Sequence, residues 1–265
     1  MPPLAQALIT GVGWRQAYVV LGLLVIGVTI TVVGLLLKEE PQMMGLVPDG
    51  GSGTDAGLTG QCGQEPGLSG AEAWHTAAFW LMVGAFFLQS VGFHGYFIHL
   101  APLLTDRGVS AQSAALVMSL GAVGTVLGRV GGGYLLDRFF APYVAVCSFC
   151  GSALGMFLLW SGAVGSLAFV AAFLGDLGAG AEFDIIAYMV SRYFGLRAFG
   201  EIYGYVFAAF ALGGVIGPPL MGIGFDSTGS YSLALGGFVV TTLIAAGLMT
   251  QLGPYRTWEA VAEAA

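Results

Sequence analysis

Seven long apolar segments constrain this sequence more than any other feature. A membrane-spanning helix needs about 20 mostly apolar residues, and this chain is 57% hydrophobic and 9% charged. Soluble domains carry about 25% charged residues. The sequence therefore predicts an all-α polytopic membrane protein with seven transmembrane helices. The predicted spans are residues 16–37, 76–100, 111–136, 142–160, 166–190, 202–224 and 232–252.

The longest polar stretch, residues 38–75, separates the first predicted span from the other six. Its middle, DGGSGTDAG at 49–57, has the composition of a flexible linker. The later connections are short, so consecutive helices should be antiparallel neighbours. The sequence thus predicts one lone helix (1–37), a loop (38–75), a compact six-helix bundle (76–252) and a tail (253–265).

The basic residues predict how the chain is oriented. When the spans alternate, only Arg15 and Arg107 fall on one side of the membrane, and the other side holds Lys38, Arg138, Arg192, Arg197 and Arg256. The richer side is expected to be cytoplasmic. We therefore expect a multi-pass protein of the cell (inner) membrane with loop and tail in the cytoplasm. Residues 1–15 lack the pattern of a cleavable signal peptide.

Several function classes find no support in the sequence. The basic residues are scattered singly, which argues against nucleic-acid binding. Cys147 and Cys150 have a C-x-x-C spacing but lie inside a span without a second pair, so we predict small core residues and no metal site. No hydrolase-type Ser-His-Asp set is found in a plausible context. An enzyme is not expected, and no cofactor is implied.

One arginine lies inside a glycine-rich span. Gly124, Gly128 and Gly132 repeat every four residues, which predicts a helix face that another helix approaches closely. Arg129 precedes Asp137 by eight residues, about 12 Å at ~1.5 Å per residue. Its guanidinium stays charged and needs a water-filled cavity or an anion. It either holds a substrate anion or reaches a carboxylate at the helix end.

Five segments together resemble the major facilitator superfamily, in its oxalate:formate antiporter and monocarboxylate transporter branch. They are residues 133–138 (GYLLDR), 99–110, 182–195, 213–218 and 226–231. The resemblance implies that the seven spans are helices six to twelve of a twelve-helix fold. Residues 1–37 would then be the last helix of an N-terminal bundle whose first five helices are missing, and residues 76–252 the C-terminal bundle.

The resemblance also implies a function. Such proteins bind substrate between two bundles and alternate its access to the two sides. We expect a secondary active transporter of small, monocarboxylate-like organic anions, working by proton symport or anion exchange. Its partners would be the anion, protons or a counter-anion, the bilayer and the missing N-terminal bundle. The alternative is a truncated, non-transporting remnant or a half-transporter that needs a partner chain.

The resemblance implies that Arg129 is the residue that binds the substrate carboxylate. The sequence departs from the branch at Thr125, where an aspartate is expected for proton coupling. The span at 202–224 also lacks the lysine expected of the oxalate type. With one cation inside this half, a singly charged substrate is the easier one to neutralise.

The span at 166–190 carries three carboxylates, whose expected roles are coupling and gating. Asp184, Tyr188 and Arg192 lie four residues apart and should share a face. With Asp137 and Arg138 they form a predicted gating cluster, or they handle protons or substrate directly. Asp176 and Glu182 should face the bundle interior, pair or be protonated. Glu182 is our candidate for proton coupling.

The remaining candidates are polar or aromatic residues that could line a substrate cavity. His94, with Gln89 and Phe93, either lines the cavity or makes a packed polar contact. Tyr96 and Tyr205 could donate hydrogen bonds to a substrate carboxylate. His94 and His99 lie five residues apart, a spacing that does not build a zinc site.

Overall fold

The computed structural model describes residues 8, 11, 13–36 and 66–255. The chain divides into two compact units, residues 1–62 and 63–265. In the first unit, helix α1 (Trp14–Leu36) is long and apolar enough to cross a membrane, which agrees with the predicted span. The predictions for Lys38 and Arg256 lie outside the described residues.

The described part of the second unit is a bundle of eight helices. They are α2 (Gly70–Trp74), α3 (Ala77–Asp106), α4 (Ala111–Leu136), α5 (Ala141–Trp160), α6 (Ser166–Gly180), α7 (Glu182–Phe194), α8 (Phe199–Thr228) and α9 (Ser232–Met249). Within the described ranges the chain forms no strand beyond one isolated bridge between Gly67 and Gly195. This confirms the predicted all-α class.

The prediction of one continuous helix at 166–190 is wrong in one respect. Ala181 separates α6 from α7, so this crossing is made of two helices in succession. Glycines at 175, 178 and 180 weaken the helix just before the break. Beyond it, Glu182 and Asp184 lie in the first turn of α7, where the helix dipole favours carboxylates. The other described helices of spanning length are α1, α3, α4, α5, α8 and α9.

Glycines bring α4 and α6 into backbone contact, as their spacing predicts. A Cβ added at Gly124 would lie 2.7 Å from the carbonyl oxygen of Phe173, and one at Gly128 would overlap that of Leu177. On the other side of α6, a Cβ at Gly155 of α5 would lie 2.6 Å from the amide nitrogen of Gly175. Helix α6 is therefore held closely between α4 and α5.

The other main packing interfaces join α3 to α8 and α9, and α9 to α5. Antiparallel order places the connections around Asp137 at one end of the bundle and those around Asp106 at the other. We call these the Asp137 end and the Asp106 end. One apolar cluster, with Phe86 and Phe149, fills the Asp137 half, and a second, with Leu104 and Leu159, fills the Asp106 half.

The two cysteines of α5 do not belong to either core, which corrects the prediction. Cys147 and Cys150 are both free and exposed on the outer face of the helix. In a membrane, a small apolar side chain is as well accommodated by lipid as by protein. Hydrophobicity therefore did not distinguish the buried face of this span from the outer one.

The ends of the predicted loop and tail are part of the bundle. The amide of Leu68 donates to the carbonyl oxygen of Phe194 at 2.8 Å. The hydroxyl of Tyr193 donates to the carbonyl oxygen of Gly253 at 2.6 Å. The amide of Ala141, at the start of α5, donates to the hydroxyl of Tyr255 at 2.8 Å. Tyr255 thus satisfies an amide that the N-cap side chain of α5 leaves free.

Helix α2 shows that the end of the loop has its own local structure. The side chain of Ser69 and that of Glu72 form a reciprocal capping box. Hydrogen bonds from the amide and hydroxyl of Ser69 lower the pKa of the Glu72 carboxyl.

Candidate functional site

Arg129 forms an ion pair on the surface of the bundle. Its Nε lies 3.4 Å from Oδ2 of Asp184, and the two side chains are 56% and 44% exposed. The guanidinium carbon also lies 5.6 Å from the ring centre of Phe183. Helix α4 supplies the arginine, and the first turn of α7 supplies both partners. The break at Ala181 therefore begins the helix turn that meets Arg129.

Two interpretations of Arg129 were open: it holds a substrate anion, or it pairs with a carboxylate at the helix end. The geometry has features of both. The guanidinium has a carboxylate partner, as the pairing alternative requires. That partner lies in the middle of the crossing rather than at the end of α4, and more than half of the arginine side chain stays open. Arg129 is thus a cation inside an apolar span, held by one carboxylate and accessible to another anion.

A first buried carboxylate lies beside this pair in the chain. Glu182 is 1% exposed, and its Oε1 accepts a hydrogen bond of 2.6 Å from Nε2 of Gln89 on α3. The other amide atom of Gln89, Oε1, is buried without a partner. Of the three alternatives expected for Glu182, namely facing the bundle interior, pairing or being protonated, the structure shows the first two. Gln89 lies inside the bundle too, in contact with α7 rather than with an open surface.

A second buried carboxylate repeats this arrangement closer to the Asp106 end. The hydroxyl of Tyr96 on α3 donates to Oδ1 of Asp176 at 2.6 Å. Oδ2 of Asp176 is buried without a hydrogen-bond partner and lies against Gly121 of α4. The Tyr96 hydroxyl is therefore already bonded to a carboxylate of the protein. Both buried pairs join α3 to the discontinuous crossing.

His94 makes a packed polar contact in this structure. Its Nδ1 lies 3.1 Å from the hydroxyl of Ser90, which in turn donates to the carbonyl oxygen of Phe210 on α8. The imidazole lies between the rings of Phe93 and Phe210, with centroids 5.2 and 5.6 Å away. His94 and Phe93 are partly exposed.

Three of the predicted gating residues, Asp137, Asp184 and Tyr188, line one pocket on the Asp137 side of the bundle. An open pocket of about 450 Å³ is lined there by Gly133, Leu136, Asp137, Asp184, Ala187, Tyr188, Ser191, Leu196 and Phe199. Arg192 donates to the hydroxyl of Tyr188 at 3.2 Å, so these two share a face as predicted. Arg138 lies outside the pocket lining, with its guanidinium carbon 3.8 Å from the ring centre of Tyr134.

Tyr205 lies at the same end, on a different surface. Its hydroxyl donates to Oε1 of Glu201 at 3.0 Å, and its ring meets that of Trp74 edge to face at 5.4 Å. The structure does not bring Tyr205 to Arg129. Within the described residues, no group of three or more His, Cys, Asp or Glu side chains is placed to hold a metal ion.

The predictions from the sequence did not include a row of aromatic rings on α8. Phe199, Tyr203, Phe207 and Phe210 stack in succession, with centroids 5.7, 5.7 and 6.0 Å apart. We call these four residues the aromatic ribbon. Their spacing of four, four and three residues is that of one helix face, and this periodicity could have revealed them.

The fold and these sites define a class: a multi-pass helical membrane protein with ionisable groups both on one face of a bundle and inside it. The chain belongs to the Major Facilitator Superfamily, whose family model matches residues 1–218 and 100–261. Two solved members of the fold support the architecture. A peptide transporter of the POT family aligns with 69% of the chain at a TM-score of 0.59 and 18% identity, covering 39% of that structure. The E. coli fucose:proton symporter aligns with 68% at 0.54 and 19%, covering 44% of that structure.

Sequence relatives narrow the comparison within the superfamily. Monocarboxylate transporter 11 of Mus musculus is 27% identical over 264 residues, covering 96% of this chain and 55% of the relative. Monocarboxylate transporter 12-B of Danio rerio is 26% identical over 270 residues, with 91% and 55% covered. The chain thus spans about half the length of the curated relatives it matches.

Proposed function

We propose that this protein takes part in the transport of small, monocarboxylate-like organic anions across a membrane by alternating access. The observation that carries the proposal is Arg129, a half-exposed guanidinium deep in an apolar span with one carboxylate at 3.4 Å. The superfamily membership supports transport, and the relatives named monocarboxylate transporters support this class of substrate.

In this proposal the Asp184 carboxylate is paired with the Arg129 guanidinium when no substrate is bound. A guanidinium binds a carboxylate through paired N–H donors, and the Asp184 contact leaves more than half of the Arg129 side chain open. An entering carboxylate would replace Asp184 or share the guanidinium with it. Release of Asp184 would free the first turn of α7, which is the gating role predicted for this residue. Asp137 and Tyr188 line the same pocket.

The charge balance favours a substrate with one negative charge. In the described part of the second unit, Arg129 is the only Lys or Arg more than one turn from a helix end. A second carboxylate on the substrate would find no further cation in this half of the site and would be repelled by Asp184. Desolvating an unpaired charge is costly.

Proton coupling is assigned to Glu182. Its carboxyl is buried and has one neutral hydrogen-bond donor, Gln89 Nε2, at 2.6 Å. A carboxyl in such surroundings is stabilised by binding a proton. Because Glu182 and Asp184 lie in the same helix turn, the charge of one affects the position of the other. Asp176 with Tyr96 is the second candidate, and anion exchange is the alternative that needs neither.

We further propose that the Asp137 end faces the cytoplasm, as the distribution of basic residues predicts. In that orientation the loop and tail lie inside the cell, and the protein resides in the cell (inner) membrane. Cysteine labelling from either side, at Ser110 and Ser191 replaced by cysteine in a variant without the native cysteines, would test this.

The function is tested by anion counterflow in proteoliposomes containing the purified chain. We expect preloaded lactate to drive uptake of labelled lactate above protein-free vesicles. Arg129→Ala should abolish this uptake, and Arg129→Lys should retain part of it. Arg197→Ala removes an exposed arginine outside the site and should leave uptake unchanged. Undiminished uptake by Arg129→Ala would contradict the proposal, as would a wild-type chain without counterflow.

Proton coupling has its own test. In vesicles with an imposed pH gradient, Glu182→Gln should lose gradient-driven uptake while counterflow continues. Gradient-driven uptake that survives this change would remove Glu182 from the coupling role.

A further inference from the structure

Arg129 and Asp184 together present opposite charges on one accessible face. Their side chains are 56% and 44% exposed, and Nε of the arginine lies 3.4 Å from Oδ2 of the aspartate. A bound molecule can therefore contact both groups at once. The guanidinium only donates hydrogen bonds and the carboxylate only accepts them. A ligand that matches this pair carries a negative and a positive group side by side.

The ion pair has no net charge before a ligand arrives. A simple carboxylate that shares the Arg129 guanidinium would place a second negative charge beside Asp184. Like charges repel more strongly where the surroundings hold little water, as they do inside an apolar span. A ligand whose own charges sum to zero leaves the site neutral. The charge balance therefore favours a zwitterion over an anion.

The pocket next to Asp184 offers further acceptors. Among the described residues that line it, the charged side chains are Asp137 and Asp184, and the hydroxyls are those of Tyr188 and Ser191. Arg192 contacts this lining through its hydrogen bond of 3.2 Å to the Tyr188 hydroxyl. An ammonium has three donors and no acceptor. Carboxylate and hydroxyl oxygens in the lining are therefore suitable partners for it.

The distance between Arg129 and Asp184 limits how far apart the two charges of the ligand can be. In an α-amino acid the ammonium is bonded to the carbon next to the carboxylate, which is a short link between two such groups. Charge-assisted hydrogen bonds of about 2.7–2.9 Å then join one small molecule to two side chains that are 3.4 Å apart. An amino acid with a longer spacer would have to fold back to make both bonds.

We propose that the preferred substrate is a zwitterionic α-amino monocarboxylate, whose carboxylate binds Arg129 and whose ammonium binds Asp184. This rests on the proposed function, and it adds a second charged group to the substrate. Of the two ways in which a carboxylate could reach Arg129, the substrate shares the guanidinium with Asp184. Asp184 is then a specificity determinant for the ammonium, whereas Arg129 recognises every carboxylate.

The test is equilibrium binding of labelled L-alanine and labelled L-lactate to the purified full chain in detergent. These two molecules differ by an ammonium in place of a hydroxyl group on the same carbon. The wild type should bind alanine about fivefold more tightly than lactate, the upper range for one exposed ion pair. Asp184→Asn should remove this preference by weakening alanine binding alone, and Asp184→Glu, which keeps the charge, should retain it.

The matched control is Glu201→Gln, which removes an exposed carboxylate on the surface that carries Tyr205. It should change neither affinity. Unlabelled L-alaninamide, which has the ammonium and lacks the carboxylate, should not displace labelled alanine.

Three results would overturn the inference and leave the proposed function intact. They are lactate binding at least as tight as alanine binding, equal weakening of both by Asp184→Asn, and displacement of alanine by alaninamide as effective as by alanine itself. Absence of binding of both alanine and lactate would instead contradict the proposed function.

Discussion

Helices α6 and α7 are two halves of one membrane crossing, and they differ in almost every physical respect. Helix α6 is rich in small residues and meets α4 and α5 at backbone distance through Gly124, Gly128 and Gly155. Helix α7 is amphipathic, with Ile185 and Met189 fully buried and the side chain of Asp184 44% exposed. The comparison shows that α6 is fixed in place by close packing and keeps its one carboxylate, Asp176, buried, whereas α7 supplies the carboxylate that pairs with Arg129.

The joint between the two halves, at Ala181, lies next to both a close helix contact and a buried carboxylate. Glu182 begins α7 directly after Ala181, and it is tied to α3 through Gln89. A Cβ added at Gly180 would overlap the backbone of Thr125 on α4, so the chain just before the joint has no room to shift. Movement at this site is therefore expected in α7 rather than in α6.

The largest effect should come from breaking the packing of α6. Gly128→Val puts side-chain atoms where the backbone of Leu177 lies, and we expect a loss of about 3 kcal/mol or more, the upper range for overpacking. The control is Gly131→Val, where nothing lies within 4 Å of an added Cβ. Thermal melting in detergent measures both. Equal melting temperatures would show that α6 is not held as described.

A smaller effect is expected at the joint. Gln89→Leu leaves the buried Glu182 carboxyl without its donor, at a cost of about 1–3 kcal/mol. Removing both polar groups in Gln89→Leu/Glu182→Leu should recover part of this loss, because no buried carboxyl remains. The readout is the melting temperature of single and double variants. Simple additivity of the two changes would mean that the two side chains do not interact.

A third prediction concerns the far end of α7. Tyr255→Phe removes the acceptor for the amide of Ala141 and keeps the ring that packs near Tyr193. We expect a loss of about 1 kcal/mol, typical of one hydrogen bond. Tyr143→Phe, on an exposed tyrosine of α5, should be neutral. Hydrogen exchange at Ala141 should speed up in the first variant only; unchanged exchange would argue against the bond.

The smallest effect on stability is expected on the open face. Asp184→Asn removes the negative partner of Arg129, and because both groups are exposed the free energy of unfolding should change by less than about 1 kcal/mol. The affinity for lactate should rise, since the guanidinium no longer has a competing carboxylate. Binding of labelled lactate in detergent measures this, and a fall in affinity would assign Asp184 to substrate binding instead.

Most of the fold could be predicted because membrane-spanning helices are recognisable from their length and apolar composition. The exception at Ala181 has a clear cause: residues 166–190 are mostly apolar on both sides of the break, and hydrophobicity does not show where a helix is interrupted. The exposure of Cys147 has a related cause, since lipid and protein interior are both apolar. The glycine spacing in α4 did predict the packing on α6.

The individual residues of the site could be predicted from the sequence, but their contacts with one another could not. Arg129, Asp184, Glu182 and Gln89 are visible as polar residues in apolar spans. Their pairing depends on how α3, α4 and α7 meet, because Gln89 and Glu182 are 93 positions apart. Tyr96 is an example: its hydroxyl was expected to meet a substrate carboxylate, and it meets Asp176. The aromatic ribbon was not predicted, because uncharged aromatic residues are common in apolar spans and do not by themselves indicate a site.

The contacts at the Asp137 end bring together the chain just before the first helix of the bundle and the chain just after its last helix. Pro66 accepts a hydrogen bond from the amide of Leu196 at 3.1 Å, and Gly253 accepts one from Tyr193. Both ends of the bundle therefore lie against the same short stretch of chain. A circular permutant, with residues 66 and 255 joined by a short Gly-Ser linker and new termini opened in the turn at 161–165, should fold with the same helix arrangement.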